Sequence, residues 1–193
     1  MTVFDLVFIV LFLSTVLTLV WAAVAVLRGR LARARSLVLR LGGVLAVYLG
    51  VVLLVSLLQP GRVLQLGDNQ CYDDWCIAAT EAHRETAATG NPLVVTLRVS
   101  SRARQRPQRE LGLQVYVKDD QGHRYDPVSD PRDSPFDLLL KPQEALTTTR
   151  VFRIPADARH PALVVAHRNR FPAFVIIADP ESLFHAPTEI RLD

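Results

Sequence analysis

The residues best able to do chemistry lie between Cys71 and Cys76, the two cysteines of the chain. They enclose an aromatic and acidic tetrapeptide, Tyr72-Asp73-Asp74-Trp75. This loop could present carboxylates and rings to a partner or a cation. The same residues also suit a small disulfide loop that opens a strand, with the aspartates in the turn and Trp75 under a sheet. The spacing fits neither a zinc site, an EF-hand loop nor a C-x-x-C redox motif, so we expect a structural disulfide and no metal.

Asp179, Ser182 and His185 are the residue types of a hydrolase triad within a short stretch. Triads assemble from distant segments, and no G-x-S-x-G elbow accompanies these residues. The stretch is more typical of a turn that ends a strand. The histidines of the chain are dispersed, without an H-E-x-x-H motif. We therefore expect no catalytic residues, no metal and no cofactor, and we keep an extracytoplasmic hydrolase or metal-dependent enzyme using this region as the alternative.

A second candidate for binding is a run of arginines between two predicted strands, Arg102, Arg104, Arg106 and Arg109. Such a run can contact anionic lipid headgroups or an acidic partner, although a solvated loop has the same composition. The possible partner-binding residues of the chain are therefore Tyr72, Asp73, Asp74, Trp75, Arg102, Arg104 and Arg106.

All of these candidate residues lie C-terminal to two long apolar segments. The stretch from Leu6 to Leu27 has no charged residue, and as a helix it would measure about 33 Å, enough for a bilayer core of about 30 Å. A second uncharged stretch runs from Leu41 to Gly61. The start of the chain contains Asp5 and lacks the basic region of a cleaved signal. The sequence predicts a transmembrane hairpin over residues 1–61, with helices at about 5–27 and 41–59 and a loop over 28–40.

The loop sets the orientation of the hairpin. It contains five arginines and no acidic residue, namely Arg28, Arg30, Arg33, Arg35 and Arg40. Basic residues in short loops mark the cytoplasmic side, so both termini should lie outside a multi-pass protein of the cytoplasmic (inner) membrane. A disulfide between Cys71 and Cys76 would fit that oxidising side.

The calculated pI of 9.2 does not indicate a nucleic-acid-binding protein. Once the five loop arginines are set aside, the basic and acidic residues after residue 61 nearly balance. The basic pI therefore reflects membrane topology, and we expect no nucleic-acid partner.

Small or weakly polar residues recur at every fourth position of both apolar segments. The two stripes are Ser14, Thr18 and Ala22 on the first segment, and Gly42, Ala46 and Gly50 on the second. Small residues on one face let membrane helices approach closely. The stripes predict the packing face of the hairpin, with an oligomer interface as the alternative.

Residues 62–193 have the period-two alternation of β-strands. Apolar residues alternate with polar ones over residues 93–100 and 111–118, and the turn residues Asp119-Asp120-Gln121-Gly122 follow the second run. Further strands are predicted at 76–80, 123–126, 148–154, 162–167, 173–178 and 188–192. This number and spacing favour an all-β immunoglobulin-like sandwich over residues 62–193.

Four segments carry a family resemblance. They are Leu140-Lys141-Pro142-Gln143-Glu144, Val151-Phe152-Arg153-Ile154-Pro155-Ala156-Asp157, the Cys71–Cys76 loop and residues 177–185. Residues 68–193 resemble telokin-like, immunoglobulin-like extracytoplasmic domains of unknown function, found in bacterial membrane-anchored proteins and lipoproteins. Gln143 stands where that pattern usually has glycine. The resemblance implies a fold and no catalytic residues.

Together these features predict a non-enzymatic binding or interaction module of the bacterial cell envelope. Its anchor would lie in the lipid bilayer, and its sandwich would bind an envelope protein, a peptide or a glycan in the periplasm.

Overall fold

The computed structural model describes residues 3–72, 74–85, 92–168, 172–177, 179, 182 and 184–193. The chain divides into two compact units. The helical unit comprises Met1–Pro60 and Arg170–Ala186, and the sandwich unit comprises Gly61–Asn169 and Pro187–Asp193. The helical unit ends at Pro60 and takes in residues 170–186, although these lie in sequence between two strands of the sandwich unit.

The described residues of the helical unit include two α-helices, α1 (Val3–Leu27) and α2 (Leu31–Leu58). Both are long and apolar enough to cross a membrane, judged by length and composition. Most of their side chains are exposed, and those that are buried are Ala22, Ala25, Ala34, Val52 and Ser56. A helix that is apolar all round suits an apolar solvent.

The connection between the helices is much shorter than the predicted loop over residues 28–40. Helix α2 begins at Leu31, so Arg33, Arg35 and Arg40 are helical. Gly29 makes the turn with a φ of +70°, a conformation that glycine adopts without strain. The prediction failed because the arginines suggested a loop, whereas arginine and leucine are good helix formers.

The predicted packing face of α2 is wrong. Gly42, Ala46 and Gly50 are all exposed, and among the described residues nothing beyond the adjacent turns of α2 lies within 4 Å of a Cβ built on either glycine. On α1, Ala22 is buried, Thr18 half-buried and Ser14 exposed. After the short turn that follows Leu27 the helices pack in a different register, in which bulkier side chains border a shared crevice. Residues that line one shared crevice include Phe8, Leu11, Phe12 and Thr15 of α1 and Leu45, Tyr48 and Leu49 of α2.

In the part of the sandwich unit that the structure describes there are ten strands. They are β1 (Val63–Leu64), β2 (Gln70–Cys71), β3 (Trp75–Arg84), β4 (Leu93–Ser101), β5 (Leu113–Lys118), β6 (Arg124–Tyr125), β7 (Pro127–Val128), β8 (Ala145–Phe152), β9 (Ala162–His167) and β10 (Glu189–Arg191). One five-stranded sheet has the order β1-β10-β9-β5-β6, and the other has the order β2-β3-β4-β8-β7. Two apolar helices followed by a β-sandwich confirm the predicted fold class at that level.

The core lies between the two sheets and follows the predicted alternation. Along β4 and β5 every second side chain points inward, and the most buried of these are Val95, Leu97, Val99, Val115 and Val117. Phe152, Leu163 and Ile190 complete the same cluster with no exposed surface. Strand β5 begins at Leu113, two residues later than the alternation suggested, because Gly112 has a φ of +82° and Leu111 is exposed.

The predicted strand over residues 173–178 is wrong. Ala173–Val175 form a short 3-10 helix, which belongs to the helical unit. The periodicity of a short apolar run does not distinguish a strand from a buried irregular segment. Its structure is therefore decided by the distant residues against which it packs.

Candidate functional site

Cys71 and Cys76 form the predicted disulfide. They are directly opposite each other in the β2–β3 hairpin, with their Cα atoms 4.0 Å apart. The backbone N–H of Tyr72 donates to the Trp75 carbonyl oxygen at 2.8 Å and closes the turn between them. The disulfide therefore holds a four-residue turn at the edge of the second sheet.

The two aromatic residues of this turn point into the sandwich. Their rings stack with centroids 4.5 Å apart, and the His167 ring meets both edge-on. Trp75 is only 6% exposed and belongs to the core. His167 also lies 3.1 Å from the Glu110 carboxylate. Trp75 is thus unavailable to a partner, and its prediction as a binding residue is wrong. Asp73, another predicted binding residue, lies outside the described residues.

The arginine run forms a loop between β4 and β5 that is fixed at both ends. At its start the Arg102 N–H donates to the Asp74 carbonyl oxygen at 2.6 Å. At its end Gln108 exchanges two backbone hydrogen bonds with Leu140, at 2.9 and 2.8 Å, and its side-chain amide donates to the same Asp74 oxygen. The buried Ala103 holds the loop against the domain. The disulfide turn and the arginine loop are therefore joined through one carbonyl group.

This loop borders a groove of about 690 Å³, which we call the arginine groove. Its lining residues are Asp74, Arg102, Ala103, Arg104, Gln105, Arg106, Pro107 and Gln108. The three arginines are exposed, and within the described part of the chain none of them forms an ion pair. Three guanidinium groups against one carboxylate give the groove a positive potential, which attracts anions.

The structure thus brings together four of the predicted partner-binding residues, Asp74, Arg102, Arg104 and Arg106. Tyr72 and Trp75 lie in the core or against it. Gln108 and Leu140, whose pairing closes the loop, were not among the residues predicted from the sequence. No local pattern marks them, because the bridge joins segments far apart in the chain.

The residues of the alternative triad do not form a nucleophile–base pair. The Ser182 hydroxyl is buried and lies 2.7 Å from the Ser56 hydroxyl, while His185 Nδ1 lies 2.6 Å from the Ala186 carbonyl oxygen. The Ser182 N–H donates to the Asp179 carbonyl oxygen and the His185 N–H to that of Ser182, so the predicted turn is present. The strand that this turn was expected to end is wrong, and Phe184, expected in the core, is exposed. Among the described residues, no three His, Cys, Asp or Glu side chains are grouped as metal ligands.

No family model and no curated protein matches the sequence. Comparison with solved structures found several low-identity likenesses, including the following three. The yjhA protein of Bacillus subtilis is 13% identical over 67% of this chain and 99% of its own, with a TM-score of 0.46. MPT63, a secreted protein of Mycobacterium tuberculosis, is 15% identical over 59% and 93%, with a TM-score of 0.45. An uncharacterised β-sandwich protein of Clostridium difficile is 8% identical over 70% and 96%, also with a TM-score of 0.45.

Proposed function

We propose that this chain is a membrane-anchored module of the bacterial cell envelope that binds an acidic segment of a protein partner and catalyses no reaction. The observation that carries the proposal is the arginine groove, in which three exposed arginines line one concave surface. A telokin-like, immunoglobulin-like sandwich, as the sequence resemblance suggests, would serve as the rigid support of this groove.

The anchoring part of the proposal depends on α1 and α2. Each is longer than the roughly 20 residues that a bilayer requires, and the arginines from Arg28 to Arg40 cluster near the turn that joins them. By the positive-inside rule this turn would face the cytoplasm and the sandwich the periplasm. The Cys71–Cys76 disulfide supports an oxidising compartment for the sandwich.

The ligand chemistry follows from the guanidinium group. Its planar fork of N–H donors matches a carboxylate bidentately and stays charged at any physiological pH. A groove of about 690 Å³ has room for several side chains of a peptide. The loop is held at both ends by Asp74 and Leu140, so a ligand would not have to order it.

Binding of a fluorescent glutamate-rich peptide tests the proposal, with the full chain in nanodiscs of zwitterionic lipid. The variant R102Q/R104Q/R106Q should weaken binding by about threefold to a hundredfold, since each exposed arginine–carboxylate pair contributes roughly 0.2 to 1 kcal/mol. Wild-type binding should also weaken as salt is added.

The matched control is R84Q/R153Q/R159Q, which removes the same charge from exposed positions elsewhere on the sandwich unit. Equal binding by the two triple variants would show that net charge and not the groove attracts the peptide. No binding by the wild type at low salt would refute the acidic ligand.

The orientation has its own test at Ser36, which is exposed on α2 near the turn. A Ser36→Cys variant in intact spheroplasts should resist a membrane-impermeant maleimide and should react after lysis. Reaction before lysis would place the arginine-rich turn outside the cytoplasm and reverse the topology.

A further inference from the structure

Residues 172–186 connect two strands of the sandwich unit, yet they pack with the helices. Their first part, Ala173-Phe174-Val175-Ile176-Ile177, is uncharged and strongly apolar. Val175 lines the crevice between α1 and α2. We call residues 172–186 the returning segment.

Two polar side chains of α2 hold the returning segment. The Tyr48 hydroxyl donates to the Val175 carbonyl oxygen at 2.8 Å. Two turns further along the same helix face, the Ser56 hydroxyl lies 2.7 Å from that of Ser182, and both serines are buried. Val52 lies between these two contacts on that face and is 1% exposed. The returning segment therefore follows α2 for about 12 Å, the rise of eight helical residues.

Asp5 indicates the depth of these contacts in a bilayer. Thr15 and Leu45 line the same crevice of the antiparallel hairpin, so Asp5, ten residues before Thr15, lies about level with Val55. Burying a carboxylate in the bilayer core costs free energy. Asp5 and Val55 should therefore lie at the outer edge of the hydrocarbon. Ser56 then lies at that edge, and Tyr48 lies about 10 Å inside it.

On this geometry, and resting on the proposed membrane anchoring, we propose that the returning segment dips into the outer leaflet of the bilayer. Lipid acyl chains then surround residues 173–177, and the lipid headgroups surround Asp179, Ser182 and Phe184. In this arrangement Tyr48 and Ser56 are the attachment points for a third membrane-embedded element.

The backbone of the segment fits an apolar solvent, in which every polar group needs a partner. The Val175 N–H donates to the Pro172 carbonyl oxygen and the Ile176 N–H to that of Ala173, both at 3.0 Å. The carbonyl oxygen of Val175 accepts from Tyr48. The returning segment in turn supplies hydrogen-bond partners to the hydroxyls of Tyr48 and Ser56, which lipid acyl chains could not do.

Quenching by brominated lipids tests this arrangement. A single cysteine is placed at Ile177 or Phe184 in the full chain, labelled with an environment-sensitive fluorophore, and reconstituted into vesicles with bromine near the top of the acyl chains. The native disulfide stays closed and takes up no label. Leu54, exposed on α2, is the lipid control and Arg104 the water control.

We expect labels at Ile177 and Phe184 to be quenched severalfold more than a label at Arg104, and Ile177 more than Phe184. The Tyr48→Phe change should reduce quenching at Ile177, whereas Ser36→Ala should not. Quenching at Leu54 without quenching at either segment position overturns the embedded segment and leaves the anchor intact. No quenching at Leu54 overturns the membrane anchor itself.

Discussion

The side-chain hydroxyls of Ser56 and Ser182 form a hydrogen bond of 2.7 Å although 126 residues separate them in the chain. Both side chains are buried, so removing one hydroxyl leaves the other without a partner. An unsatisfied buried polar group costs about 1 to 3 kcal/mol, whereas removing both members of a pair costs less.

Ser56→Ala and Ser182→Ala should therefore each increase hydrogen exchange in residues 172–186, and the double variant should exchange no faster than the worse single variant. Hydrogen exchange with mass spectrometry on the full chain in nanodiscs measures this. Ser36→Ala, on an exposed face of the same helix, is the matched control. Additive effects in the double variant would show that the two serines act independently.

The Cys71–Cys76 disulfide should contribute modestly to the stability of the sandwich unit. It closes a very short loop, for which the chain-entropy estimate gives about 2 kcal/mol. Reduction, or the C71S/C76S change, should lower the melting temperature of the sandwich without unfolding it, because the core cluster does not depend on the sulfur atoms. Thermal unfolding followed by circular dichroism measures the shift. Alkylation of thiols in the native, unreduced chain would contradict the disulfide.

Asp119 makes the stability of the sandwich unit depend on pH through its contacts in the β5–β6 hairpin. Burial alone would raise its pKa, but hydrogen bonds from the His123 side chain and backbone and from the Tyr125 hydroxyl outweigh burial and lower the pKa to about 2. A carboxylate with a depressed pKa stabilises the fold above its unfolded pKa of about 4, and this contribution is lost as the pH falls toward 2.

The Asp119→Asn variant should therefore melt below the wild type by a constant interval between about pH 5 and 7. That interval should shrink between about pH 4 and 2, where the wild-type carboxylate becomes protonated. Melting curves of both proteins across this range give the comparison, and Asp120→Asn, at the exposed neighbour, controls for loss of a charge. A gap that stays constant down to pH 2 would argue against the carboxylate as its source.

Arg150 stabilises the loop before β8 from inside the domain. Its guanidinium donates to the Thr148 hydroxyl and the Ser134 carbonyl oxygen, both at 2.7 Å, and lies 3.4 Å from the Asp133 carboxylate. It also stacks over the Phe136 ring at 4.2 Å. Arg150→Met should cost about 3 kcal/mol in unfolding free energy, since it leaves the half-buried Asp133 carboxylate without its ion-pair partner.

Denaturant unfolding of the full chain in detergent, followed by tryptophan fluorescence, measures this cost. Arg153→Met changes an exposed arginine nearby and should cost little. Equal costs for the two variants would show that the Arg150 contacts contribute no more than an exposed side chain does.

The sequence predicted the sandwich well where side chains alternate over many residues. In β4, Val95, Leu97 and Val99 are the apolar members of the pattern, and all three are buried. The disulfide was predictable because the chain has only two cysteines, separated by a turn sequence. In both cases the determining information is local.

The errors concern features that depend on distant residues. The apolar run predicts a strand at Ala173–Val175, but these residues form a 3-10 helix. The partner of the Val175 carbonyl oxygen is the hydroxyl of Tyr48, which is distant in the sequence. The arginine run was recognised as a basic connection, whereas the Gln108–Leu140 bridge that shapes it into one side of a groove leaves no local pattern. Long-range pairing of this kind cannot be inferred from the composition of either segment.

The last prediction concerns how the two helices pack. The small residues Gly42, Ala46 and Gly50 suggested the contact face, but the short turn at Gly29 rotates that stripe outward and turns Ala34 inward. Ala34→Leu should therefore disturb the hairpin, because a larger side chain has to enter a filled space. Ala46→Leu, the same exchange on an exposed face, should leave the hairpin intact.

Disulfide cross-linking within one chain distinguishes the two registers. A cysteine pair at Thr15 and Leu45, which line the same crevice, should cross-link efficiently, whereas a pair at Thr18 and Ala46 should not. Both pairs are made in a background in which Cys71 and Cys76 are serine, and mass measurement confirms that the bond is within one chain. Ala34→Leu should reduce the first cross-link and Ala46→Leu should preserve it, because only Ala34 is buried. Efficient cross-linking of Thr18 with Ala46 would restore the small-residue face. Cross-linking of Thr18 with Ala46 only between chains would instead make the stripe an oligomer interface.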